Sequence, residues 1–318
     1  MVKSQILELI IVGAGPAGLG AAYAAKKQGF SYRVLEAGKI VNTVHEFPLN
    51  KTLFSQPEEL ELEKGSFLCL NKHPTREETI AYYTNFAREN QLEIETYNQV
   101  VDITKQGDLF EVHSEKSIYL CRYVIVCIGV NAIPRRLGVP GEDLSKVSHR
   151  FWKADPYRYK KILVVGGGDS ALETALSLCQ VEAEVSLSYR RARFVRPQKI
   201  NLLPFLERVE GGLIKVLFET VVKEIRLKSV ILQRKSESGR EEELLNDFIF
   251  LMTGTEPALD FLSRIGIEIR GRYPVYDEET FETRISGLYL AGHITKQRFI
   301  KNALDHGPKI IEQLPSYA

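Results

Sequence analysis

The chain has 318 residues, 23 of them glycine, and a formal charge of +1. At roughly 100–200 residues per domain, that length suggests about two domains, each able to bury a core. Near-neutral charge gives no reason to expect a nucleic-acid partner or an anionic membrane surface. No run approaches the roughly 20 apolar residues of a membrane span, and Met1-Val2-Lys3-Ser4 passes into a strand without the apolar core of a secretory leader. Cys69, Cys121, Cys127 and Cys179 are scattered, with no CxxC pair, which speaks against a disulfide scaffold or a zinc site. These features predict a cytoplasmic protein without a metal centre.

The first elements are predicted at Ile6–Val12, an apolar strand, followed by Gly13-x-Gly15-x-x-Gly18 with Pro16 and Ala17 inside the motif. A small-residue helix follows from Leu19, and a second strand, Tyr32–Leu35, delivers Glu36. Each part has a physical role. Gly13 permits the tight turn, Gly15 lets backbone approach a pyrophosphate, and Gly18 lets helix and strand pack closely. The helix start offers free N–H groups to phosphate. Glu36, 18 residues after Gly18, is placed to bind ribose hydroxyls.

Farther along, a helix is predicted at Arg76–Glu89 and a buried strand at Tyr123–Val126, closing on Cys127, Ile128 and Gly129. The glycine pattern then recurs. Strand Lys161–Val165 leads into Gly166-Gly167-Gly168-Asp169-Ser170-Ala171, helix Leu172–Gln180 and strand Glu184–Ser188. This second strand ends on Arg190 and Arg191, with Arg193 and Arg196 close behind, and no carboxylate. Arginine at this position suits a ribose that carries a 2′-phosphate. Two more apolar strands close on small residues, Phe248–Thr253 on Gly254 and Gly287–Leu290 on Ala291-Gly292.

Two dinucleotide units of opposite ribose chemistry imply two cofactors. The acidic unit is expected to hold FAD and the arginine unit NADPH, with flavin N5 as the reactive centre. No side chain is singled out as catalytic.

In content and order these motifs resemble the two-dinucleotide-domain flavoproteins, in their thioredoxin-reductase-like branch. The resemblance implies an α/β fold of two Rossmann-like (three-layer ββα) domains, the NADPH domain inserted into a split FAD domain. It places the FAD domain at 1–135 and 255–318 and the NADPH domain at 136–254, with hinges near Ile133-Pro134 and Gly254-Thr255. Val100-Val101 would pair its backbone with adenine. Lys51, Thr52 and Ser55 would lie beside the isoalloxazine ring, and Lys301 and His306 at its other edge. A homodimer is also implied.

Within that branch, Phe47–Ser55, Thr75–Tyr83 and Pro197–Pro204 resemble the bacillithiol-disulfide reductases. Three departures stand out. The stretch Val147–Lys153 lacks the thioredoxin-reductase dithiol, Ala17 stands where the bacillithiol group carries a cysteine, and His293 stands where the superfamily carries aspartate. Histidine can still make one hydrogen bond there. Cys127 reads as core packing. The resulting expectation is an NADPH-dependent FAD oxidoreductase acting on a low-molecular-weight disulfide. A ferredoxin or flavodoxin–NADP reductase serving a small electron-carrier protein is the alternative, and a non-catalytic FAD/NADPH sensor is the third reading.

Overall fold

A computed structural model describes residues 6–129, 133–235, 239–256, 258–296 and 300–315; the opening Met1-Val2-Lys3-Ser4 lies outside them. The chain divides into two compact units, Met1–Ile133 with Pro257–Ala318, and Pro134–Glu256.

The first unit opens with β1 (Leu7–Val12), α1 (Pro16–Lys27), β2 (Tyr32–Leu35), the one-turn α2 (Asn42–His45) and α3 (Arg76–Glu89). It continues with β3 (Ile94–Glu95), β4 (Val100–Gln106), β5 (Leu109–Ser114) and β6 (Ile118–Val126). After β7 (Ile133–Pro134), the second unit runs through β8 (Val147–Ser148), β9 (Lys161–Val165), α4 (Asp169–Gln180), β10 (Glu184–Tyr189) and α5 (Lys199–Glu210). Then come β11 (Ile214–Phe218), β12 (Thr220–Ile225), β13 (Ser229–Arg234), β14 (Glu241–Leu245), β15 (Phe248–Leu251) and β16 (Thr255–Glu256). The first unit resumes with α6 (Leu259–Arg264), β17 (Ile269–Arg270), β18 (Tyr273–Pro274), β19 (Leu288–Leu290) and α7 (Ile300–Gln313).

Strand β1 lies inside its sheet, parallel to both β2 and β6, with Ile11 opposite Val34 on one side and Ile125 on the other. Among the described residues the strand order is β3-β2-β1-β6-β5-β4, and β19 also pairs with β6. A strand covered on both faces reads as a continuous apolar run, as β1 does. Leu9 and Ile11 point to a cluster shared with α1 and α7, while Ile10 and Val12 point to one built with Val100, Ile103, Phe110 and Val112. The unit is thus three layers: helices, parallel sheet, antiparallel meander.

The second unit repeats the plan. Its parallel sheet runs β11-β10-β9-β15-β8. Ile162 and Val164 pack toward Leu172 and Phe205 of the helices, and Leu163 and Val165 toward Val222, Val230 and Leu232 of the β12-β13-β14 meander. Its ends are tied together: Arg135 N donates to Gly254 O at 2.9 Å and Thr253 Oγ1 to Arg135 O at 2.8 Å. The fold is therefore α/β with two Rossmann-like units. Both helices that follow the glycine turns start earlier than their apolar pattern suggests, α1 at Pro16 behind an extended Gly15 and α4 at Asp169. Proline suits a first helical position because it has no N–H to leave unpaired. Among the described residues no helix is long and apolar enough to cross a membrane.

Helices α1 and α7 approach closely. A β-carbon on Gly307 would lie 2.5 Å from Ala21 N and 2.7 Å from its Cα. One residue earlier, His306 is 1% exposed, its Nδ1 accepts the Gly292 amide at 3.1 Å, and its ring packs on Phe281 at 4.4 Å. Burial, reinforced by Lys309, pushes the His306 imidazole down from 6.5 to about 4, so the neutral form is the folded one.

Gly307→Ala gains about 1 kcal/mol of helix propensity but must displace backbone, at about 1–3 kcal/mol or more. We expect a net loss of stability, read as a lower urea midpoint. Acid should act through His306. The unfolded chain takes up its proton near pH 6.5 and the folded chain only near 4, so stability is full above 6.5 and falls by up to about 3 kcal/mol as pH drops toward 4. Urea titrations across that window should show this step in the parent protein and a smaller one in His306→Gln, where His45 and His149, also lowered by burial, still contribute.

Candidate functional site

The first unit contains a cavity of about 460 Å³. The β1–α1 turn forms its floor through Gly13, Gly15, Pro16 and Ala17, joined by Gly129 after β6 and by Gly292 and His293 after β19. Gly13 sits at φ +105°, and a β-carbon there would lie 2.8 Å from Cys127 O. That conformation and that distance admit only glycine. At Gly15 a β-carbon would meet nothing within 4 Å, so the space above the turn belongs to the cavity.

Glu36 lines one end and is 8% exposed. Its Oε2 accepts from Ala14 N at 2.6 Å and its Oε1 from Gly38 N at 2.7 Å. Burial raises this carboxyl above its usual value, while the two amides oppose the shift. Each oxygen has one lone pair engaged and one left for a hydroxyl. An orphan-amide helix start, a clamped carboxylate and apolar walls such as Leu35, Val41 and Phe47 can hold a long ligand with an anionic centre and a diol.

Several residues expected beside the ligand are not among those that line the cavity. Val100 lines the cavity, but Val101 is the odd residue of a bulge between Val100 and Asp102, and its carbonyl accepts from Arg264 Nη2 at 3.0 Å. Lys51 and Thr52 are not in the described lining. Lys51 Nζ lies over the Phe47 and Phe54 rings at 5.2 and 5.9 Å, and Thr52 is exposed and bridges to Thr75. Lys301 reaches out to Glu59 at 3.4 Å, and His306 is spent on Gly292. Cys127 lines the cavity yet its thiol is held far above the usual value by burial, and Cys121 is pushed up to about 12. Neither is a thiolate at neutral pH.

Two groups of lining residues escaped the sequence reading. Phe261 and Arg264 come from α6, too short at six residues to show a period. Asn42, Thr43 and Val44 come from the one-turn α2, entered through Val41 at φ 49°.

In the second unit the turn Gly166–Gly168 precedes α4, with extended Gly168 as its N-cap and Ser170 and Ala171 in the first turn. Ala171 is buried and Ser170 exposed. The Tyr189 ring covers Gly167 so closely that a β-carbon there would lie 2.2 Å from it. Asp169 is committed within the protein: its Oδ1 accepts from Gln198 N at 2.9 Å and Asn201 Nδ2 at 2.8 Å. Arg190, Arg191, Arg193 and Arg196 are all exposed, and none forms a salt bridge among the described residues. Gly254 turns at φ +89° at the end of the unit, and its carbonyl accepts Arg135 N. Among the described residues, no group of three or more His, Cys, Asp or Glu side chains is placed to hold a metal ion.

Comparison with known proteins bears on both glycine turns. Residues 10–292 match the family described as pyridine nucleotide-disulphide oxidoreductase. The bacilliredoxin reductase Bdr of Bacillus subtilis (strain 168) is 35% identical over 317 residues, 96% of each chain. A ferredoxin–NADP reductase of Ignicoccus hospitalis is 29% identical over 297 residues, 91% of this chain and 90% of its own. The solved structure of bacillithiol disulfide reductase Bdr from Bacillus cereus superposes with a TM-score of 0.93 at 32% identity, covering 97% of this chain and 98% of that one. The chain belongs to the pyridine nucleotide-disulphide oxidoreductase family, with Bdr among its relatives.

Proposed function

We propose that this chain is an NADPH-dependent FAD oxidoreductase whose favoured acceptor is a low-molecular-weight disulfide. The observation that carries the reading is the contrast between the two turns: a buried, amide-clamped carboxylate after the first, and exposed arginines after the second. On this reading residues 1–135 and 255–318 form the FAD domain and 136–254 the NADPH domain.

Bound FAD supplies the two-electron chemistry between pyridine nucleotide and acceptor. The chain's own residues bind and orient. Gly13, Gly15, Pro16, Ala17 and Gly18 present backbone to the pyrophosphate, and Glu36 accepts the ribose hydroxyls. Gly129, Gly292 and His293 shape the flavin end, with the 292–294 turn held from behind by His306. Gly166, Gly168, Ser170 and Ala171 cradle the NADPH pyrophosphate, and Arg190, Arg191 and Arg196 fork onto the 2′-phosphate. Asp169 contributes by fixing the neighbouring helix.

The four cysteines are free, and the two fully buried ones stay protonated, so the chain brings no dithiol relay of its own. That favours direct delivery to the acceptor and supports a second reading, a reductase of a small electron-carrier protein. We further propose that the enzyme works in the cytoplasm as a homodimer, as the family resemblance implies.

Two measurements test these assignments. Each arginine–phosphate hydrogen bond is worth about 1.5–3 kcal/mol. Arg190→Ala and Arg191→Ala should therefore each raise KM for NADPH by about tenfold or more and leave NADH unchanged. Equal effects on both would remove the arginines from 2′-phosphate recognition. An acceptor screen at fixed NADPH should give the highest turnover with a low-molecular-weight thiol disulfide. Turnover confined to a carrier protein would establish the second reading, and a flavin that NADPH fails to bleach would make the protein a sensor.

A further inference from the structure

We propose that Arg264 closes the adenosine end of the first cavity by laying its guanidinium on the adenine ring, which makes the cavity selective for FAD over FMN and slow to release it. The proposal rests on FAD being the ligand of that cavity and adds a residue and a specificity to it. Hydrogen bonds set the order of groups along the cavity. Ala14 N, in the glycine turn, donates to Glu36 Oε2 at 2.6 Å. Asn98 N, just before β4, donates to Glu36 O at 2.9 Å. Three residues on, Val101 O accepts Arg264 Nη2 at 3.0 Å. A dinucleotide with its pyrophosphate on the turn and its ribose on Glu36 therefore carries its base past Glu36, toward Val100 and Arg264.

That end of the cavity suits a flat ring. Val100, 6% exposed, and Phe261 supply apolar lining. Arg264 is exposed, yet its guanidinium is held at two points. One is the Val101 carbonyl, and the other is the Phe261 ring, which it overlies at 5.7 Å. A guanidinium is planar and weakly hydrated, and it stacks on aromatic faces. Fixed in this way before a ligand arrives, it loses little freedom on binding. The same hydrogen bond occupies the main-chain carbonyl at the β4 bulge, so recognition of the base passes from Val101 to the side chain that Val101 holds. Among the described lining residues Arg264 is the one lysine or arginine. FMN lacks the adenosine and gains nothing from it.

The test uses the FAD-loaded full chain with Arg264→Ala and Arg264→Lys. Flavin loss on dilution is followed as the rise in flavin fluorescence. Without the stack, the alanine variant should release FAD about tenfold faster. The lysine variant should release it about as fast as the alanine variant, because an ammonium keeps the charge and has no plane to stack. Flavin-stripped protein is then titrated with ADP and with FMN. ADP should bind the alanine variant about tenfold more weakly than the parent. FMN should bind both alike, and the thermal midpoints of the stripped proteins should coincide. Release of FAD at the parent rate by Arg264→Ala overturns the assignment. So does a lysine variant that keeps FAD as the parent does, which would make Arg264 a charge and not a plane. An equal loss of FMN affinity overturns it too, because the effect would then lie at the flavin end. A parent chain that neither carries FAD nor takes it up removes the FAD reading itself, and the role of Arg264 falls with it.

Discussion

Helix α1 starts in contact with the turn that launches it: a β-carbon on Gly18 would lie 1.9 Å from Gly13 O. No side chain relaxes around a backbone oxygen at that distance, so the helix axis is fixed against β1 within a few tenths of an ångström. Everything around the cavity is referenced to that axis. Ala17 meets Gly292, where a β-carbon would lie 2.8 Å from the Ala17 methyl, and Ala21 meets Gly307. Helix α7 is thereby seated, and its His306 then holds the Gly292 amide. The cavity follows from one steric contact passed along three elements.

The two glycine turns solve the same geometric problem with different electrostatics. In the first unit the selective group is inside, a carboxylate that burial would neutralise were it not for the amides of Ala14 and Gly38. In the second the arginines after the turn are exposed, and on the proposed reading they would meet a phosphate from solvent. The buried arrangement suits a resident ligand, whose hydroxyls complete the carboxylate's shell. The exposed one suits a ligand that exchanges, since little desolvation must be reversed when it leaves.

Local pattern made much of this legible. Strand β1, the spacing from Gly18 to Glu36, and the arginines after β10 all lie within about 30 residues of one βαβ unit, so sequence distance stands in for spatial distance. Where placement depends on distant partners, that equivalence fails. Val101 is turned away by a bulge in the β4–β5 register, Lys51 is drawn onto two aromatic rings, and Asp169 is claimed by the start of α5. His306 reads as one polar residue on an amphipathic helix, and only the close seating of α7 shows it to be buried. Phe261 and Arg264 carry no readable signal, because a six-residue helix completes fewer than two turns.

The floor of the first cavity is made of main chain at Gly13, Gly15, Gly129 and Gly292, with side chains confined to its walls and mouth. Peptide groups present the same donors and acceptors whatever codons surround them. A floor of this kind is insulated from most single substitutions, and those it does feel act by steric exclusion, which selection removes at once. Substitutions are better tolerated at exposed positions away from it. Relatives named for a bacilliredoxin, a ferredoxin and thioredoxin align with this chain over at least nine-tenths of its length.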